Sequence, residues 1–288
     1  MNPLFERVTI VGAGLIGGSL GLALRGRGLA DAVVGVGHRQ VSIDRALAMG
    51  AIDAGTLDAT EGVQDAELVV LATSVGLIVT LGEQIASCVG PGCVVSDVGS
   101  TKGEIVRRLT AALPEGTSFV GAHPIAGSEQ RGIDAARADL FEGATCVLTP
   151  TDDTDASDLE RLRAMWTGVG ATVRTLTPET HDAILARSSH LPHVAAAMLV
   201  ATLQSPDDDF VGSGIRDTTR IASSDVNLWC DILLSNRQAV LDAVTDFTRH
   251  LTTLRDAVAS NDRERLAAIL AASKRRREAL WPDASHHE

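Results

Sequence analysis

The sequence predicts an α/β protein with a parallel, doubly wound sheet in its N-terminal part and an all-helical C-terminal part. Short apolar runs typical of strands alternate with helical stretches through the first half of the 288-residue chain. After residue 177 the strand-like runs give way to long helical patterns. A chain of this length usually forms two domains, so we place a sheet domain at residues 1–176 and a helical domain at residues 177–288.

The predicted strands of the first domain are short and rich in β-branched residues. They cover residues 8–11, 32–36, 68–72, 94–96, 119–121, 146–148 and 172–175. Apolar residues recur with helical spacing between them, at residues 15–27, 42–49, 77–88, 102–113 and 155–169. Strands joined by helices in this way run parallel, so we expect helices on both faces of the sheet.

The second domain is predicted to contain helices at residues 178–204, 225–259 and 261–280. Pro178 suits the first position of a helix, with Thr177 as its cap. The polar stretch at residues 205–209 is expected to be a loop. A ligand pocket is expected where these helices close over the carboxyl ends of the strands.

A glycine-rich turn follows the first strand and opens the first helix. Gly12, Gly14 and Gly17 form the pattern G-x-G-x-x-G. The first permits a sharp turn, the second lets backbone approach a pyrophosphate, and the third lets the helix pack closely on the strand. An ordinary tight turn is the alternative, but a strand before it and an amphipathic helix after it favour a Rossmann-type dinucleotide site. Four further residues are expected to contact the cofactor: Leu15, Ile16, Thr73 and Ser74.

The choice between NAD and NADP depends on the end of the second predicted strand. An NAD-binding chain usually has an acidic residue there, which accepts a hydrogen bond from the ribose 2′-hydroxyl. This chain has Gly37 at that place, followed by His38 and Arg39. A glycine followed by two basic residues suits a 2′-phosphate, so NADP is favoured over NAD.

Charge and composition argue against several classes of function. The formal net charge of −12 does not suit a nucleic-acid partner, which needs a basic face. The basic run at residues 274–277 fits a solvated helix end. The four cysteines lack the spacing of a metal site and are expected to be buried free thiols in a reducing cytoplasm. The sequence predicts no signal peptide, because its start lacks the apolar region of one, and no membrane span, because no apolar run approaches about 18 residues.

Two polar segments follow strands at the expected cofactor edge. In Ser-Asp-Val-Gly-Ser-Thr-Lys (96–102), Ser100 or Thr101 is expected to cap the next helix, which leaves the other hydroxyl to face a ligand. In Gly-Ala-His-Pro-Ile-Ala-Gly-Ser-Glu (121–129), His123 lies at a strand end, where it suits the role of a general base. A surface loop histidine is the alternative interpretation.

A third polar segment, Ser-Ser-His-Leu-Pro-His, interrupts a predicted helix. Pro192 has no backbone N–H to donate to the helical hydrogen-bond ladder. A break in the helix here would direct the side chains of His190 and His193 into a cleft. Buried, hydrogen-bonded histidines are the alternative.

A fourth polar segment covers residues 212–222, where two glycines precede Arg216 and Arg220. Guanidinium groups bind carboxylates bidentately, so these arginines could clamp an acidic ligand. A solvated, charged helix start is the alternative.

Taken together, these segments resemble the prephenate/arogenate dehydrogenase family of tyrosine biosynthesis. The motifs that carry the resemblance are V-G-S-T-K-G, G-A-H-P-I-A-G-S-E, S-H-L-P-H and R-D-T-T-R-I-A, in that order, followed by Trp229. The resemblance covers nearly the whole chain. It implies a Rossmann-type domain, an all-helical domain through which the chain forms a homodimer, and NAD(P)-dependent oxidative decarboxylation of prephenate to 4-hydroxyphenylpyruvate.

The resemblance also implies roles for individual residues. His123 is similar to the base that takes the proton of the ring hydroxyl, and Ser100 to the residue that orients this hydroxyl. Arg220 resembles an arginine that binds a carboxylate, His193 a residue that contacts the pyruvyl side chain, and Glu129 an acid that gates the pocket. The other matches are pocket-wall or supporting positions: His190, Arg216, Asp217 and Trp229.

Other interpretations remain open beside prephenate oxidation. One is oxidation of arogenate, the amino-acid counterpart of prephenate. Another is a two-domain dehydrogenase of 3-hydroxy acids or phosphogluconate, but such enzymes generally carry a catalytic lysine in the second domain, and no lysine occurs between Lys102 and Lys274. A dinucleotide-sensing regulator is the non-enzymatic alternative, which the set of His123, Ser100 and Arg220 disfavours.

Overall fold

An eight-stranded sheet forms the centre of the N-terminal part of the protein. The computed structural model describes residues 3–127, 130 and 132–282. The strands are β1 (Phe5–Val11), β2 (Ala30–Val36), β3 (Ala54–Thr56), β4 (Leu68–Leu71), β5 (Val94–Asp97), β6 (Ser118–Ile125), β7 (Thr145–Thr149) and β8 (Thr172–Thr175). They lie in the order β3-β2-β1-β4-β5-β6-β7-β8. The order changes direction at β1 and β4, and a crevice opens at the carboxyl ends of such strands.

The predicted parallel α/β sheet is confirmed for its first six strands. Neighbours among β1 to β6 pair in parallel. The expectation of a wholly parallel sheet is wrong at β7, which pairs antiparallel with β6 and places Val147 opposite His123. Strand β3 was not predicted, because its residues Ala-Gly-Thr form no apolar run.

Helices cover both faces of the sheet, as expected. They are α1 (Leu15–Gly26), α2 (Gln40–Ala48), α3 (Ala59–Gly62), α4 (Val75–Ile85), α5 (Gly103–Ala112) and α6 (Ala156–Gly168). In β4, Leu68 and Val70 pack in the cluster that includes α1, α2 and α6, whereas Val69 and Leu71 pack with α4 and α5. Burial on both faces explains why this strand is apolar throughout.

The C-terminal part is helical, as predicted, but its helices are more interrupted than the sequence pattern suggests. They are α7 (Pro178–Leu185), α8 (Leu191–Ala201), α9 (Ser213–Thr219), α10 (Val226–Ser235), α11 (Arg237–Ala259) and α12 (Arg263–Leu280). A π-helical turn at Ala186–His190 separates α7 from α8, so the irregularity precedes Pro192. Residues Ser205–Phe210 form a 3₁₀ helix rather than a plain loop. Asn236 divides the helix predicted at residues 225–259.

The chain forms two compact units, which divide between Arg237 and Gln238. Every segment predicted to carry chemistry lies in the first unit. The domain boundary between residues 176 and 177 stays a prediction. In the part of the chain that the structure describes, no helix combines the length and apolar character needed to cross a bilayer.

The four cysteines are free thiols, but they are not all buried. Cys93 and Cys146 lie in the core, whereas Cys230 is exposed, so the expectation of burial is wrong for Cys230. Across the described ranges, no three or more His, Cys, Asp or Glu side chains are grouped as metal ligands would be.

Candidate active site

The glycine-rich turn between β1 and α1 requires glycine at two of its three positions. Gly12 has a φ of +106°, and a Cβ there would lie 2.6 Å from the carbonyl oxygen of Ala72. A Cβ on Gly17 would lie 2.1 Å from the carbonyl oxygen of Gly12, whereas Gly14 has open space at that position. Among the described residues, no side chain caps α1 and none in its first turn is acidic. Its amide groups can therefore bind an anion such as a phosphate.

A cavity of about 840 Å³ lies along this edge of the sheet. Its wall includes four of the residues assigned to the cofactor from sequence: Leu15, Ile16, Thr73 and Ser74. Ser100, Arg220 and Trp229 also line it. Oγ1 of Thr73 is buried and has no hydrogen-bond partner within the described structure. A roomy cavity with an unsatisfied hydroxyl beside an uncapped helix fits a large, polar, anionic ligand.

His38 and Arg39 follow β2 and are not among the residues that line this cavity. Both are exposed. A Cβ on Gly37 would lie 2.9 Å from Cδ1 of Ile43, a buried residue of α2. Ile43 therefore packs where a side chain at position 37 would begin.

A buried ion pair fixes the loop that follows β5. Nζ of Lys102 donates to Oδ2 of Asp97 and, at 2.9 Å, to the carbonyl oxygen of Ala122. Oδ2 of Asp97 accepts from the amide of Gly99 at 2.8 Å, and its Oδ1 accepts from the amide of Ala122 at 3.1 Å. Burial lowers the pKa of the Lys102 ammonium, and the Asp97 carboxylate opposes this shift. The pair ties the loop carrying Ser100 to β6, beside His123.

The cap predicted for α5 is wrong: neither Ser100 nor Thr101 caps the helix. Oγ of Ser235 lies 3.0 Å from Oγ1 of Thr101. The carboxylate of Asp182 on α7 instead accepts the backbone amides of Lys102 and Gly103, each at 2.8 Å. The cap comes from a residue distant in sequence, which leaves the Ser100 side chain at the cavities.

A second cavity, of about 610 Å³, adjoins the first and is lined by His123. The two cavities share Ser100, Ala126, Gly127, Leu228 and Trp229 as wall residues. His123 lies within β6 and is buried. Burial, followed by the neighbouring His181, Lys102 and His190, holds the pKa of His123 well below its usual value of 6.5. A neutral imidazole on the wall of the second cavity can therefore accept a proton.

Sequence reasoning missed two residues that contact this site, His181 and Asp182. Nε2 of His181 lies 2.8 Å from Nδ1 of His123, and Nδ1 of His181 lies 2.8 Å from Oδ1 of Asp182. A signal was present: Pro178, His181, Asp182 and Leu185 recur at helical spacing and form the buried face of α7. Two polar residues on a buried helix face need partners.

The π-helical turn places two further histidines around Trp229. The ring of His193 stacks on Trp229 with centroids 3.6 Å apart, and His190 meets the same ring edge-on at 6.2 Å. Nδ2 of Asn236 lies 3.2 Å from Nδ1 of His190. Burial lowers the pKa of His193 and brings that of His190 to about 4. His190 lines the second cavity, whereas Nδ1 of His193 is buried without a hydrogen-bond partner in the described structure.

The two arginines expected to clamp a carboxylate occupy different environments. Arg220 lines the first cavity. The side chain of Arg216 is 81% exposed, with Nε 3.9 Å from Oδ1 of Asp217. The structure therefore places Arg220 at the site and Arg216 at the surface. Glu129 lies outside the described residues.

This arrangement, a glycine turn at the switch point of a parallel sheet with a cavity that leads to a buried histidine, defines a dehydrogenase that binds a nicotinamide dinucleotide. Two family models match the chain. "Prephenate dehydrogenase, nucleotide-binding domain" matches residues 20–175, and "Prephenate dehydrogenase, dimerization domain" matches residues 177–272. The chain belongs to the prephenate dehydrogenase family.

Individual relatives agree with this assignment. The chain is similar to a prephenate dehydrogenase of Bacillus subtilis, with 34% identity over 97% of this chain and 77% of that one. It is 32% identical to a cyclohexadienyl dehydrogenase of Zymomonas mobilis over 97% of this chain and 98% of that one. Its fold resembles that of A. aeolicus prephenate dehydrogenase in complex with hydroxyphenyl propionate and NAD+, with a TM-score of 0.89, 33% identity and coverage of 96% and 98%. Synechocystis arogenate dehydrogenase is also similar, with a TM-score of 0.85, 30% identity and coverage of 96% and 100%.

Proposed function

We propose that the protein oxidises and decarboxylates prephenate to 4-hydroxyphenylpyruvate. The observation that carries this proposal is the junction of the two cavities, where a buried, neutral His123 lines one and the candidate cofactor residues line the other. Ser100 belongs to both walls. A substrate hydroxyl in the second cavity would therefore lie between a base and a hydride acceptor.

The chemistry assigns His123 a single task. Nε2 of His123 takes the proton of the ring hydroxyl while the hydride leaves the carbon that bears it. The bond to the ring carboxylate then breaks, CO2 leaves, and its electron pair makes the ring aromatic as a phenolate, which regains a proton. A nicotinamide dinucleotide held by the residues of the first cavity would supply the redox chemistry as hydride acceptor. The gain of aromaticity drives the reaction forward, so the protein must supply only a base, alignment and binding of a dianion.

The remaining site residues would bind and orient this dianion. Ser100 would orient the hydroxyl, and Arg220 would bind a carboxylate through charge-assisted hydrogen bonds. His193 would donate to the pyruvyl side chain from beside Trp229, on which its ring stacks and which lines both cavities. His190 and Trp229 would form the pocket wall, with Glu129 as a gating acid. Arg216 is exposed in the single chain and lines neither cavity.

The proposal favours prephenate over arogenate. Arogenate carries an ammonium in place of the keto group. His193 would donate to a keto oxygen or carboxylate, whereas an ammonium needs an acceptor. Equal or higher kcat/KM with arogenate in the wild type would contradict the preference, and an unchanged ratio of the two kcat/KM values in His193→Ala would remove His193 from the choice.

One assay tests the reaction itself. Prephenate, arogenate and several 3-hydroxy acids are offered in turn, and reduction of the nicotinamide is followed by its absorbance. We expect the highest kcat/KM with prephenate. Turnover of 3-hydroxy acids alone would contradict the proposed function, as would cofactor binding without turnover of any substrate, which would indicate a sensor.

The proposed cofactor is NADP, with NAD as the alternative. The support is the absence of a carboxylate side chain at Gly37, where Ile43 fills the space, and the exposed Arg39 that follows. Calorimetric titration should show tighter binding of NADP, and Arg39→Ala should remove this difference while Arg163→Ala, on α6 and outside the walls of both cavities, leaves it. A wild-type preference for NAD would contradict the assignment.

We also propose a homodimer formed through the helical part, located in the cytoplasm. Helices after residue 177 carry large apolar side chains that are exposed in the single chain: Met198, Val226, Leu234, Val258 and Leu270. Burial of such side chains against a second copy of the chain would remove apolar surface from water. Light scattering coupled to size-exclusion chromatography should give twice the chain mass. The cytoplasmic location is supported by the free thiols.

A further inference from the structure

We infer that His181 and Asp182 are positioning residues, which hold His123 in the tautomer whose Nε2 can accept a proton. The inference rests on the proposed function, because that function makes His123 the base. Nδ1 of His123 lies 2.8 Å from Nε2 of His181, and Nδ1 of His181 lies 2.8 Å from Oδ1 of Asp182. All three residues are buried. The chain of contacts joins β6 to α7 within the first compact unit.

The carboxylate of Asp182 sets the direction of every hydrogen bond in this chain. Its two oxygens accept the amides of Lys102 and Gly103, and a carboxylate has no proton to donate. Nδ1–H of His181 therefore donates to Asp182. In the neutral ring, Nε2 of His181 then carries the lone pair and accepts Nδ1–H of His123. This leaves the lone pair of His123 on Nε2, the nitrogen that a base would use.

The same contacts fix the ring of His123 in space. His181 packs edge-on against it, with centroids 5.1 Å apart and ring planes at 68°. Within the described structure, the ring nitrogens of His181 bond to His123 and Asp182 alone. His181 itself is fully buried, where packing alone would favour an apolar side chain. A buried polar ring whose two nitrogens both belong to one chain of contacts points to a role in that chain.

The arrangement also suits the protonated state that follows catalysis. When His123 takes the substrate proton on Nε2, it becomes an imidazolium that still donates through Nδ1–H. His181 accepts this bond while it donates to the Asp182 carboxylate. The negative charge at the end of the chain stabilises the positive charge at its beginning.

The direct test is the protonation pattern of the His123 ring. Long-range proton–nitrogen correlation spectra are recorded on the full chain without substrate, and the His123 signals are assigned by their loss in His123→Gln. We expect a protonated Nδ1 and an unprotonated Nε2 in the wild type, and a mixture of both tautomers in His181→Leu. A wild-type ring protonated on Nε2 would overturn the inference, and so would an unchanged tautomer in His181→Leu. Because this measurement needs no substrate, it is decided even if prephenate proves not to be the substrate.

A kinetic comparison separates positioning from general support of the fold. His181→Leu should lower kcat with prephenate about 10- to 100-fold, with changes below about threefold in KM and in cofactor Kd. His181→Gln keeps an acceptor within reach of Nδ1–H of His123 and should recover kcat to within about fivefold of the wild type. Leu162→Ala is the matched control, since it removes buried volume in α6 away from both cavities and should lower stability without lowering kcat.

Two kinetic results would contradict the inference. One is an equal loss of kcat in His181→Leu and His181→Gln, since the acceptor would then be irrelevant. The other is an equal loss in Leu162→Ala, since any destabilised variant would then behave alike.

Discussion

His123 lies inside strand β6 and is buried, at a position where most proteins carry an apolar side chain. Burial, followed by the charges of His181, Lys102 and His190, holds the pKa of His123 well below 6.5, so the ring is neutral at physiological pH. Its Nδ1 is engaged by His181. The remaining nitrogen belongs to a side chain that lines the second cavity. A side chain that titrates near neutrality in water is therefore kept neutral here, as the proposed role of a base requires.

The buried histidines should make the protein less stable in acid. Burial brings the pKa of His190 from 6.5 to about 4, so between these values the unfolded chain binds a proton that the folded chain excludes. The unfolding free energy should therefore fall as the pH drops from 6.5 towards 4. Urea unfolding at a series of pH values measures this, and His190→Gln should flatten the dependence. A free energy that rises in acid over this window would contradict it.

Arg220 should matter mainly for substrate affinity. Arg220→Ala removes a charge-assisted contact to a carboxylate, worth roughly 1.5–3 kcal/mol, and should raise the KM for prephenate about 10- to 100-fold. Arg163→Ala, on α6 and outside the walls of both cavities, is the control and should leave KM unchanged. If KM is the same in both variants while Arg220→Ala melts at a lower temperature, Arg220 is structural.

Some residues of the candidate site can be predicted from the sequence, and others cannot, for a physical reason. His123 and Ser100 follow strand signals, and the carboxyl ends of parallel strands meet at one edge, so their proximity could be expected. His181 lies 58 positions from His123, in a helix whose pattern shows only that it faces inwards. Helical periodicity identifies the buried face of a helix but not the residues that this face contacts. The exposure of Arg216 depends on the orientation of α9, which sequence spacing does not specify.

At the scale of elements, α7 and α5 depend on each other. The start of α5 lacks a cap within its own sequence, and the Asp182 carboxylate on α7 accepts its two leading amides. Local propensity favours Ser100 or Thr101 as the cap. Tertiary contacts override that preference here, because Thr101 bonds to Ser235 and Asp182 is already fixed by α7. The result is a direct connection between the loop of Ser100 and the helix that contacts His123.

Removal of this cap should destabilise the fold. Asp182→Ala leaves two amides and one imidazole N–H without their partner in a buried region and should lower the unfolding free energy by roughly 2–4 kcal/mol. Asp155→Ala is the matched control: Asp155 caps α6 through the amides of Ser157 and Asp158, but at the surface, where water can replace it. Chemical denaturation compares the two variants. An equal loss of unfolding free energy in both variants would show that the Asp182 cap contributes no more than an ordinary surface cap.

At the junction of α7 and α8, the proline in the sequence predicts an irregularity but not its form or its exact position. Pro192 predicts a break, and an irregularity is present, but it takes the form of a π-helical turn at Ala186–His190. Such turns occur inside α-helices and are frequent at functional sites. Here the turn contributes Ser188, Ser189 and His190 to the second cavity. The hydrophobic pattern continues through it, so the sequence gives no sign of the extra residue.

At the scale of the whole molecule, the strand–helix alternation predicts the sheet well, because strands buried on both faces leave long apolar runs. The expectation that β7 runs parallel to β6 is wrong because residues 146–148 form an apolar run in either orientation, so the sequence pattern does not distinguish the two. Strand β3 is three residues long and pairs with β2 at the edge of the sheet, where no apolar run is required. The strand order places the crevice at the carboxyl ends of β1 and β4. The glycine turn, which follows β1, already indicates this position in the sequence.

The central claim is that one buried histidine serves as the base for prephenate oxidation, and turnover of His123→Asn tests it most directly. The variant is purified, and its cofactor Kd and melting temperature are compared with those of the wild type before kcat with prephenate is measured. We expect cofactor binding and folding to be kept while kcat falls about 10²- to 10⁴-fold, the usual contribution of a positioned base. Near-normal kcat in a folded, cofactor-binding variant would contradict the claim.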